Sequence, residues 1–586
     1  MKRARIPLFP SALAAAALLL IAGTSAAPLE PQAALDIART GAADLALKRV
    51  AAGEAANRDD SAAWAQWERV RIEIYQSLGD WHAVVERVAD LPSAAPLELR
   101  AWALVQAAEA RLALGDGPAA RDLLRQRLQL SAQVDDSSAW RQVGWLMIRS
   151  FVIEGRLGQA MSMMQARRVQ YPDAPDRRLD RLQARIALLQ QDPGQAFDLL
   201  KDTDSPRLAA LKWLAGLRAG QLEPATVMQL CQDFAVAGHS PADRRAVFIV
   251  AAEAALDMGD AAARIDLLEQ AVTLSATARD SRPPFALNPD DVWQALLGLG
   301  QTLGRQQAIG AGDTTRWLAA ASEARQPVAA QALLAVVAFG DSQPDLRAQA
   351  QAQLADVLLA QPRGAELLRQ LYLHSQRFPA LTAVPAPARY RLARQAVDDG
   401  DMVLAARVLA TLDQPPPGGN AASWQLERAQ AFILAGDAEA GVAAIDALLA
   451  SAETFSFERL EPSLFALQAA GRHRDAIRFF NTLLSREPPP AVRQKLLYWL
   501  GDSYDQLGEH ATAAKLYLQS ATALDAAAMD RWARSARYQA GGALAKAGLT
   551  DDARRVYQRL LNASADPARR AALRQKIAEL PASSGR

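Results

Sequence analysis

Five histidines and one cysteine offer the most versatile catalytic and metal-binding chemistry in this 586-residue chain. The histidines are His82, His239, His374, His473 and His510. No two of them have the i, i+4 spacing that places two metal ligands on one face of a helix. Cys231 lacks a plausible histidine partner for a thiol hydrolase, and its apolar context is typical of a buried small hydrophobic residue. We therefore expect neither a metal ion nor another cofactor.

Paired carboxylates raise the question of acid–base catalysis. They occur at Asp59-Asp60, Asp135-Asp136, Asp290-Asp291, Asp398-Asp399 and Asp551-Asp552. Most pairs stand just before an apolar run, where a carboxylate accepts hydrogen bonds from free helix amides and meets the positive end of the helix dipole. Helix capping is therefore favoured over catalysis.

Nucleotide-binding and hydrolase motifs are weak or absent in the sequence. The run Gly298-Leu299-Gly300-Gln301-Thr302-Leu303-Gly304 superficially resembles a dinucleotide-binding loop, but its spacing is wrong and no strand pattern precedes it. The end of a helix is the better interpretation of these glycines. With no phosphate-loop Gly-Lys-Ser/Thr and no Gly-x-Ser-x-Gly, the chain is predicted not to be an enzyme.

The composition indicates an ordered helical protein. The chain is 51% hydrophobic, 22% charged and 6% aromatic, which excludes a disordered chain and a collagen-like fibre. Alanine and leucine dominate, whereas the β-branched and aromatic residues that favour strands are sparse. An all-α fold is predicted.

The N-terminus has the pattern of an export signal. Three basic residues within the first five positions precede an uncharged run over residues 13–22, and small residues then lead to a favoured cleavage point after Ala26. The alternative is an uncleaved anchor, but the run is too short to span a bilayer of about 30 Å. We therefore expect a signal peptide over residues 1–26 and a periplasmic mature protein.

The charge of the chain bears on its partners. Removing the signal peptide takes away three positive charges and changes the net charge from +1 to −2. Strong binding to nucleic acid or to an anionic membrane then has no electrostatic basis. No later apolar run has the length of a membrane span. The mature chain is expected to bind no nucleic acid and to have no membrane span.

Glycines recur at intervals that correspond to one pair of helices. The C-terminal series is Gly400, Gly436, Gly471, Gly508 and Gly548, and the N-terminal series is Gly79, Gly115 and Gly155, continued less regularly by Gln191, Gly220 and Gly259. In the regular parts the spacing is 35 to 40 residues. Each position ends an apolar helical pattern, and in most copies a small residue follows five positions later and opens the packed face of a second helix.

The clearest copy runs Trp499-Leu500-Gly501-Asp502-Ser503-Tyr504-Asp505-Gln506-Leu507-Gly508, followed by Ala513 and Tyr517. Leu500 and Tyr504 lie four residues apart, on the buried face of the first helix. Gly501 allows the second helix to approach, and Ala513 is small because the helices cross there. Gly508 supplies the positive φ that ends the first helix.

This pattern resembles the tetratricopeptide repeat, whose helix-turn-helix unit has W-x-x-L-G-x-x-Y followed by G, A, an aromatic residue and P. The resemblance covers most of residues 60–275 and 387–570, and it implies an α-solenoid, a right-handed superhelix of antiparallel helix pairs. A coiled coil is the alternative for an Ala/Leu/Arg-rich chain, but glycine every 35 to 40 residues would break its heptads.

The predicted organisation has four parts after the signal peptide. They are N-terminal repeats over 27–275, an irregular helical segment over 276–386, C-terminal repeats over 387–570, and a helix end with a frayed tail over 571–586. In the irregular segment the glycine series is lost, but apolar patterns predict helices near Val292–Leu299, Trp317–Ala324, Val328–Phe339, Leu346–Leu359 and Leu367–Leu373. This segment is interpreted as a bend or a cap.

The resemblance also implies a concave groove lined by the first helix of each pair. The predicted groove residues are Lys495, Tyr498, Asp502 and Asp505 in the clearest copy, Tyr538 and Lys546 in the next, and Trp145 and Arg149, with Glu73 and Glu109, towards the N-terminus. Charged groups beside aromatic rings suit the backbone ends and one anchor side chain of a peptide. A solvated helix face is the alternative for any single residue.

These observations favour a non-catalytic periplasmic scaffold that binds an envelope protein or an extended peptide. One alternative is an activator or organiser of peptidoglycan or exopolysaccharide synthesis, because residues 291–296 with Trp317-Leu318 resemble the helical part of lipoprotein activators of penicillin-binding proteins. That match is short and lacks the lipid-attachment cysteine. Another alternative is a helical polysaccharide hydrolase or lyase, which would gather carboxylates and aromatic residues in a pocket within residues 276–386.

Overall fold

The computed structural model describes residues 30–131, 137–170, 177–236, 238–274, 283–310, 312–340, 342–450, 457–525 and 529–581. The predicted signal peptide over residues 1–26 and the Asp135-Asp136 pair lie outside the described residues.

Thirty α-helices and one short 3-10 turn at Leu381–Ala383 form the described parts of the chain, in which no β-strand occurs. The predicted all-α fold is confirmed. In chain order the helices are α1 (Pro31–Arg39), α2 (Ala43–Ala56), α3 (Ser61–Leu78), α4 (Trp81–Ala89), α5 (Leu97–Ala113), α6 (Gly117–Ser131), α7 (Ser137–Ile153), α8 (Leu157–Gln170), α9 (Arg177–Leu189), α10 (Pro193–Leu200), α11 (Pro206–Arg218), α12 (Pro224–Val236), α13 (Pro241–Asp257), α14 (Ala261–Val272), α15 (Pro289–Gln306), α16 (Thr314–Glu323), α17 (Pro327–Phe339), α18 (Pro344–Leu359), α19 (Gly364–Leu373), α20 (Ala386–Asp398), α21 (Met402–Leu409), α22 (Ala421–Leu434), α23 (Ala438–Ala450), α24 (Phe457–Ala469), α25 (His473–Leu484), α26 (Pro490–Gln506), α27 (His510–Ala521), α28 (Arg531–Lys546), α29 (Thr550–Ala563) and α30 (Pro567–Glu579).

Most helices pack mainly on their neighbours in the sequence, with α15 on α17 as an exception, and the first helices of successive pairs also pack on one another. Examples of the second kind are α5 on α7, α7 on α9, α11 on α13, α22 on α24 and α26 on α28. Because each pair contacts little beyond the adjacent pairs, the core extends along the chain as it does in solenoid proteins. The predicted α-solenoid of helix pairs is confirmed.

The glycine series marks the turn within each helix pair. Every residue of the predicted series has a positive φ, from 61° at Gln191 to 93° at Gly436. A positive φ is the left-handed backbone conformation that ends a helix and that glycine adopts without steric cost. Gln191, which stands in for glycine in the irregular part of the series, adopts the same conformation.

Packing in the clearest repeat follows the sequence pattern. Leu500, Ala513 and Tyr517 are buried, and Tyr504 is half-buried. A Cβ atom placed on Gly501 would lie 3.1 Å from the Tyr517 ring and 3.3 Å from the Ala513 carbonyl oxygen. Gly501 therefore sets the close approach of α26 and α27.

The contacts divide the chain into two compact units, Met1–Leu287 and Asn288–Arg586. All five helices predicted in the irregular segment are present as α15 to α19, and α18 and α19 pack on α20 within the second unit. Trp293 and Tyr372 are fully buried among them, and the Trp293 Nε1–H donates to the Leu371 carbonyl oxygen over 3.0 Å. The segment's role as a bend or a cap stays a prediction.

One expectation for this segment is wrong. Gly298, Gly300 and Gly304 do not end a helix but lie inside α15. A side chain on Gly300 would collide with the backbone of α17 at Ala332, and one on Gly304 would collide with the indole ring of Trp317 in α16. Gly300 and Gly304 therefore allow close helix packing, whereas Gly298 faces open space.

Helix capping is confirmed for two of the four described carboxylate pairs, and a third pair lies where it meets the positive end of a helix dipole. Asp60 caps α3 by accepting hydrogen bonds from two backbone amides, each over 3.0 Å. Asp291 completes a capping box at α15, and Asp551-Asp552 lie in the first turn of α29. For Asp398-Asp399 the capping interpretation is wrong, since the pair lies at the C-terminal end of α20. There the Asp399 carboxylate instead accepts a hydrogen bond from the guanidinium of Arg369, over 2.6 Å.

Candidate functional site

A cavity of about 940 Å³ in the first unit is lined by five successive first helices, α5, α7, α9, α11 and α13, and by the segment 283–285. We call it the N-terminal groove. Short turns with positive φ bring these helices side by side, so residues far apart in sequence share one surface.

The predicted residues Trp145 and Arg149 lie in the N-terminal groove, together with Glu109. Trp145 and Arg149 are one turn apart on α7, and the Arg149 guanidinium carbon lies 4.7 Å from the centroid of the Trp145 ring. This distance is short enough for a cation–π interaction, which keeps the charged group beside the aromatic ring. The structure thus brings these residues to a groove wall.

The charged lining of the N-terminal groove is predominantly basic. It consists of Arg149, Arg181, Arg185, Arg207, Glu109 and Asp243. Guanidinium groups bind carbonyl and carboxylate oxygens through several N–H donors. Sequence reasoning missed Arg181, Arg185 and Arg207, although the four-residue spacing of Trp145 and Arg149 recurs at Arg181 and Arg185 on the next first helix.

Part of the N-terminal groove already holds main chain of this protein. The Arg185 Nε–H donates to the Pro283 carbonyl oxygen over 2.7 Å, and an Arg245 Nη1–H donates to the Phe285 carbonyl oxygen over 3.2 Å. The Phe285 side chain packs against the buried core of the first unit. The groove wall therefore binds backbone carbonyl groups through arginine.

In the second unit, four predicted residues, Tyr498, Asp502, Asp505 and Lys546, form what we call the C-terminal cluster. The Asp505 carboxylate accepts hydrogen bonds from Lys546 Nζ over 2.6 Å and from His510 Nδ1 over 2.7 Å. Burial alone would raise the pKa of Asp505, but these two hydrogen bonds outweigh it and lower the pKa below its usual value. Asp505 and Lys546 therefore bind each other across the stacked helices α26 and α28.

Asp502 has the opposite electrostatic environment, one turn earlier on α26. Burial raises its pKa, the nearby charge of Asp505 adds to this effect, and the Tyr517 hydroxyl donates a hydrogen bond to it over 3.5 Å. Tyr498 packs edge-to-face against Trp499, Tyr517 and Trp532, with ring centroids 5.0 to 5.4 Å apart. The C-terminal cluster thus combines Asp505, whose charged form is stabilised by hydrogen bonds, with Asp502, whose carboxylate is partly desolvated, and with the aromatic ring of Tyr498.

Two other predicted residues lie beside the C-terminal cluster. The Lys495 charge acts on Glu461 of α24, whose pKa is raised by burial and partly lowered again by Lys495. Tyr538 is 39% exposed, with its ring centroid 5.8 Å from that of Tyr557. Sequence reasoning missed Trp532, which extends the aromatic surface to the next first helix. A role in partner binding for the six C-terminal residues stays a prediction.

Cys231 is buried, as predicted, with 2% of its surface exposed. Burial raises the pKa of its thiol to about 12, so the nucleophilic thiolate is scarce at neutral pH. Within the described ranges, no three histidine, cysteine, aspartate or glutamate side chains group closely enough to hold a metal ion. None of the described helices combines the length and the apolar character that crossing a bilayer requires.

Comparison with known proteins shows distant likenesses among solved structures only. No protein-family model matches the chain, and no curated protein matches its sequence. The crystal structure of the APC/C hetero-tetramer Cut9-Hcn1 is 12% identical over 93% of this chain and 95% of its own, with a TM-score of 0.28. The Naa15/Naa10 complex bound to HypK-THB is 14% identical over 94% and 91%, with a TM-score of 0.23. Monomeric IFIT1 with Gppp-AAAA is 14% identical over 75% and 94%, with a TM-score of 0.19. Nothing is concluded about this chain from similarities with TM-scores this low. Its fold is assigned from the arrangement of its own helices.

Proposed function

We propose that this protein is a non-catalytic scaffold that binds an extended segment of a partner protein in the N-terminal groove. The observation that carries the proposal is the convergence of five successive first helices on one groove that contains Trp145, Arg149 and further arginines. An exposed concave surface with an aromatic anchor and fixed hydrogen-bond donors is the usual site of peptide recognition on a helical array.

The spacing of the helices sets the length of the bound segment. Neighbouring helix axes are about 8–10 Å apart, so five helices extend over roughly 32–40 Å. An extended chain advances about 3.3 Å per residue, so about ten to twelve residues would span the full groove, and the bound segment is shorter by the part that segment 283–285 occupies. The Arg185 hydrogen bond to Pro283 supports recognition of the main chain, because the same type of donor lines the rest of the groove.

The proposed location is the periplasm, and the proposed partner is another protein of the cell envelope. The basic, apolar and small-residue segments within residues 1–26 support export. A mature N-terminus at residue 27, measured by mass spectrometry of the protein released by osmotic shock, would agree with the proposal. Retention of the intact chain in the cytoplasm would contradict it.

Two observations bear on the alternative functions. The segment that resembles the lipoprotein activators owes its apolar pattern to packing, since Val292, Trp293 and Leu296 are buried in α15. The large aromatic residues Trp293 and Tyr372 lie in a buried cluster instead of lining a pocket for a polysaccharide. The first observation accounts for the activator-like pattern by packing alone, and the second disfavours a polysaccharide site at these two aromatic residues.

Quantitative affinity capture from periplasmic extract tests the proposal. The W145A/R149E double variant changes the groove, whereas R125E reverses a charge on the exposed face of α6 and leaves the groove intact. Loss of a binding hot spot costs about 2 kcal/mol, so we expect capture of the partner to fall about 30-fold for W145A/R149E and to stay unchanged for R125E. Equal capture by wild type and both variants, with helicity retained, would contradict the groove assignment.

The same capture experiment separates the two candidate surfaces. A K495E/D502K variant alters the C-terminal residues without touching the N-terminal groove. We expect this variant to retain the partner that W145A/R149E loses. If K495E/D502K loses the partner and W145A/R149E keeps it, the binding site lies at the C-terminal cluster and not in the N-terminal groove.

A further inference from the structure

Charged side chains on the wall of the N-terminal groove follow the helix repeat. Glu109, Arg149 and Arg185 each stand six residues before the positive-φ residue that follows their helix. All three line the groove, and they belong to the successive first helices α5, α7 and α9, which pack on one another. Because equivalent positions of stacked repeats lie side by side, these side chains form a row of charges across the groove.

The groove as a whole is positively charged. Arg181 lies one turn before Arg185 on α9, and Arg207 lies at the start of α11. The described lining has four arginines against two carboxylates, which is a net charge of +2. One of the two carboxylates, that of Asp243, lies in the first turn of α13, where the helix dipole offsets its charge. The whole chain has 65 basic and 64 acidic residues, so the positive charge of the groove is a local feature.

This charge distribution selects the chemistry of the occupant. Complementary charge across an interface favours the matching partner and suppresses others. A guanidinium group has five N–H donors, so an arginine that already makes one contact keeps donors for a carboxylate. Carboxylate side chains therefore fit this wall better than neutral or basic ones. A nucleic acid fits less well, because Glu109 at one end of the row repels its continuous phosphate backbone.

The helix spacing sets the distance between the charges of the occupant. Neighbouring helix axes lie about 8–10 Å apart, and an extended chain advances about 3.3 Å per residue. Side chains that meet successive first helices are therefore about three residues apart. Because the Arg185 Nε–H already binds the Pro283 carbonyl oxygen, Arg181 is the better partner on α9. A segment of about seven residues then extends from α5 to α9 and leaves residues 283–285 in place.

We propose that the N-terminal groove selects an acidic segment of the partner protein. Two carboxylate side chains about three residues apart bind Arg149 of α7 and Arg181 of α9, and a basic side chain about three residues further along binds Glu109 of α5. This inference rests on the proposed function and adds the charge pattern of the segment, which the scaffold function alone does not require.

Fluorescence anisotropy of the full-length protein with short labelled peptides tests the charge pattern. The acidic probe is Lys-Ala-Leu-Asp-Ala-Leu-Asp with an uncharged fluorophore, made in both sequence directions. The neutral probe has asparagine in place of both aspartates, and the basic probe is Glu-Ala-Leu-Lys-Ala-Leu-Lys. We expect the acidic probe to bind about tenfold more tightly than the neutral one, since each partly exposed ion pair contributes a factor of about three. Its affinity should fall as the salt concentration rises.

Charge reversal in the groove provides the complementary test. We expect R149E/R181E to lose the acidic probe and to bind the basic probe more tightly than wild type does. Such a gain of binding requires a folded groove. The matched control is R125E/R168E, which makes the same change in net charge at two exposed arginines outside the groove lining. This control should bind all probes like wild type.

Four results would overturn the inference. They are equal binding of the acidic and neutral probes to wild type, tighter binding of the basic probe, no binding of any probe, and tighter binding of a labelled oligothymidylate. The wild-type titrations decide the matter even if R149E/R181E fails to fold. The proposed function is tested separately by capture from periplasmic extract with W145A/R149E, so its failure is distinguishable from a failure of the charge pattern.

Discussion

Asp502 and Asp505 lie one turn apart on α26, and the same substitution is expected to change local stability in opposite directions at the two positions. D505N removes a carboxylate that accepts hydrogen bonds from Lys546 and His510. D502N removes the charge of a carboxylate whose pKa is raised by burial. The two variants together show which of these predicted groove residues stabilises the fold.

The expected magnitudes follow from exposure. A hydrogen bond to a charged group contributes about 1.5–3 kcal/mol when buried. Lys546 is 54% exposed and the carboxylate of Asp505 is 15% exposed, so solvent screening reduces the loss in D505N to about 1–2 kcal/mol. D502N keeps an oxygen for the Tyr517 hydroxyl and is expected to raise local stability by about 0.5–1 kcal/mol.

The pH dependence gives a second check. The folded-state pKa of Asp505 is depressed, so its stabilising effect is present above the unfolded pKa of about 3.9 and is lost as the pH falls through the folded value. The folded-state pKa of Asp502 is raised, so the cost of its charge is absent below about pH 3.9 and is complete once the pH exceeds the folded value. Both variants should therefore approach wild type in acid.

Hydrogen exchange of peptides from α26 to α28 measures these differences, because a long helical array does not unfold in a single two-state step. We expect faster exchange in D505N and slower exchange in D502N at neutral pH. Equal destabilisation by both variants would refute the opposite electrostatic roles of the two carboxylates. No effect of D505N would refute the hydrogen bonds to Lys546 and His510.

Two further predictions concern packing and reactivity. A Cβ on Gly541 would lie 2.6 Å from the buried Tyr557 ring, so overpacking in G541A should destabilise α28 and α29 by about 1–3 kcal/mol. A Cβ on Gly542 would lie 3.6 Å from the Tyr557 hydroxyl, which is an ordinary contact. G542A should therefore be stabilised by up to about 1 kcal/mol through its higher helix propensity. Thermal unfolding compares the two, and equal melting temperatures would contradict the close approach at Gly541. Cys231, with its thiol buried and its pKa raised to about 12, should react with a disulfide reagent in urea but not in native buffer, and rapid reaction of the folded protein would disprove its burial.

The turns could be predicted from the sequence because their requirement is local. A residue with positive φ must end each first helix, and glycine meets that requirement at almost every repeat. The small residue at Ala513 likewise follows from the helix crossing beside it. These two signals predicted the helix pairs before any tertiary contact was known.

The groove could be predicted only in part. Trp145 and Arg149 belong to a copy whose glycine fixes the register, whereas Arg181 precedes Gln191, where the pattern is irregular. The hydrogen bond between Asp505 and Lys546 joins residues of different repeats, so it depends on how the helices stack.

Site-specific photocross-linking in intact cells tests the proposed scaffold function most directly. A photoreactive amino acid replaces Val152 in the N-terminal groove or, as the control, Gln126 on the exposed face of α6. We predict a discrete cross-linked partner from position 152, its loss when W145A/R149E is added, and no such product from position 126. A groove position that gives no adduct, or adducts at both positions that persist in the double variant, would contradict a partner bound in the N-terminal groove.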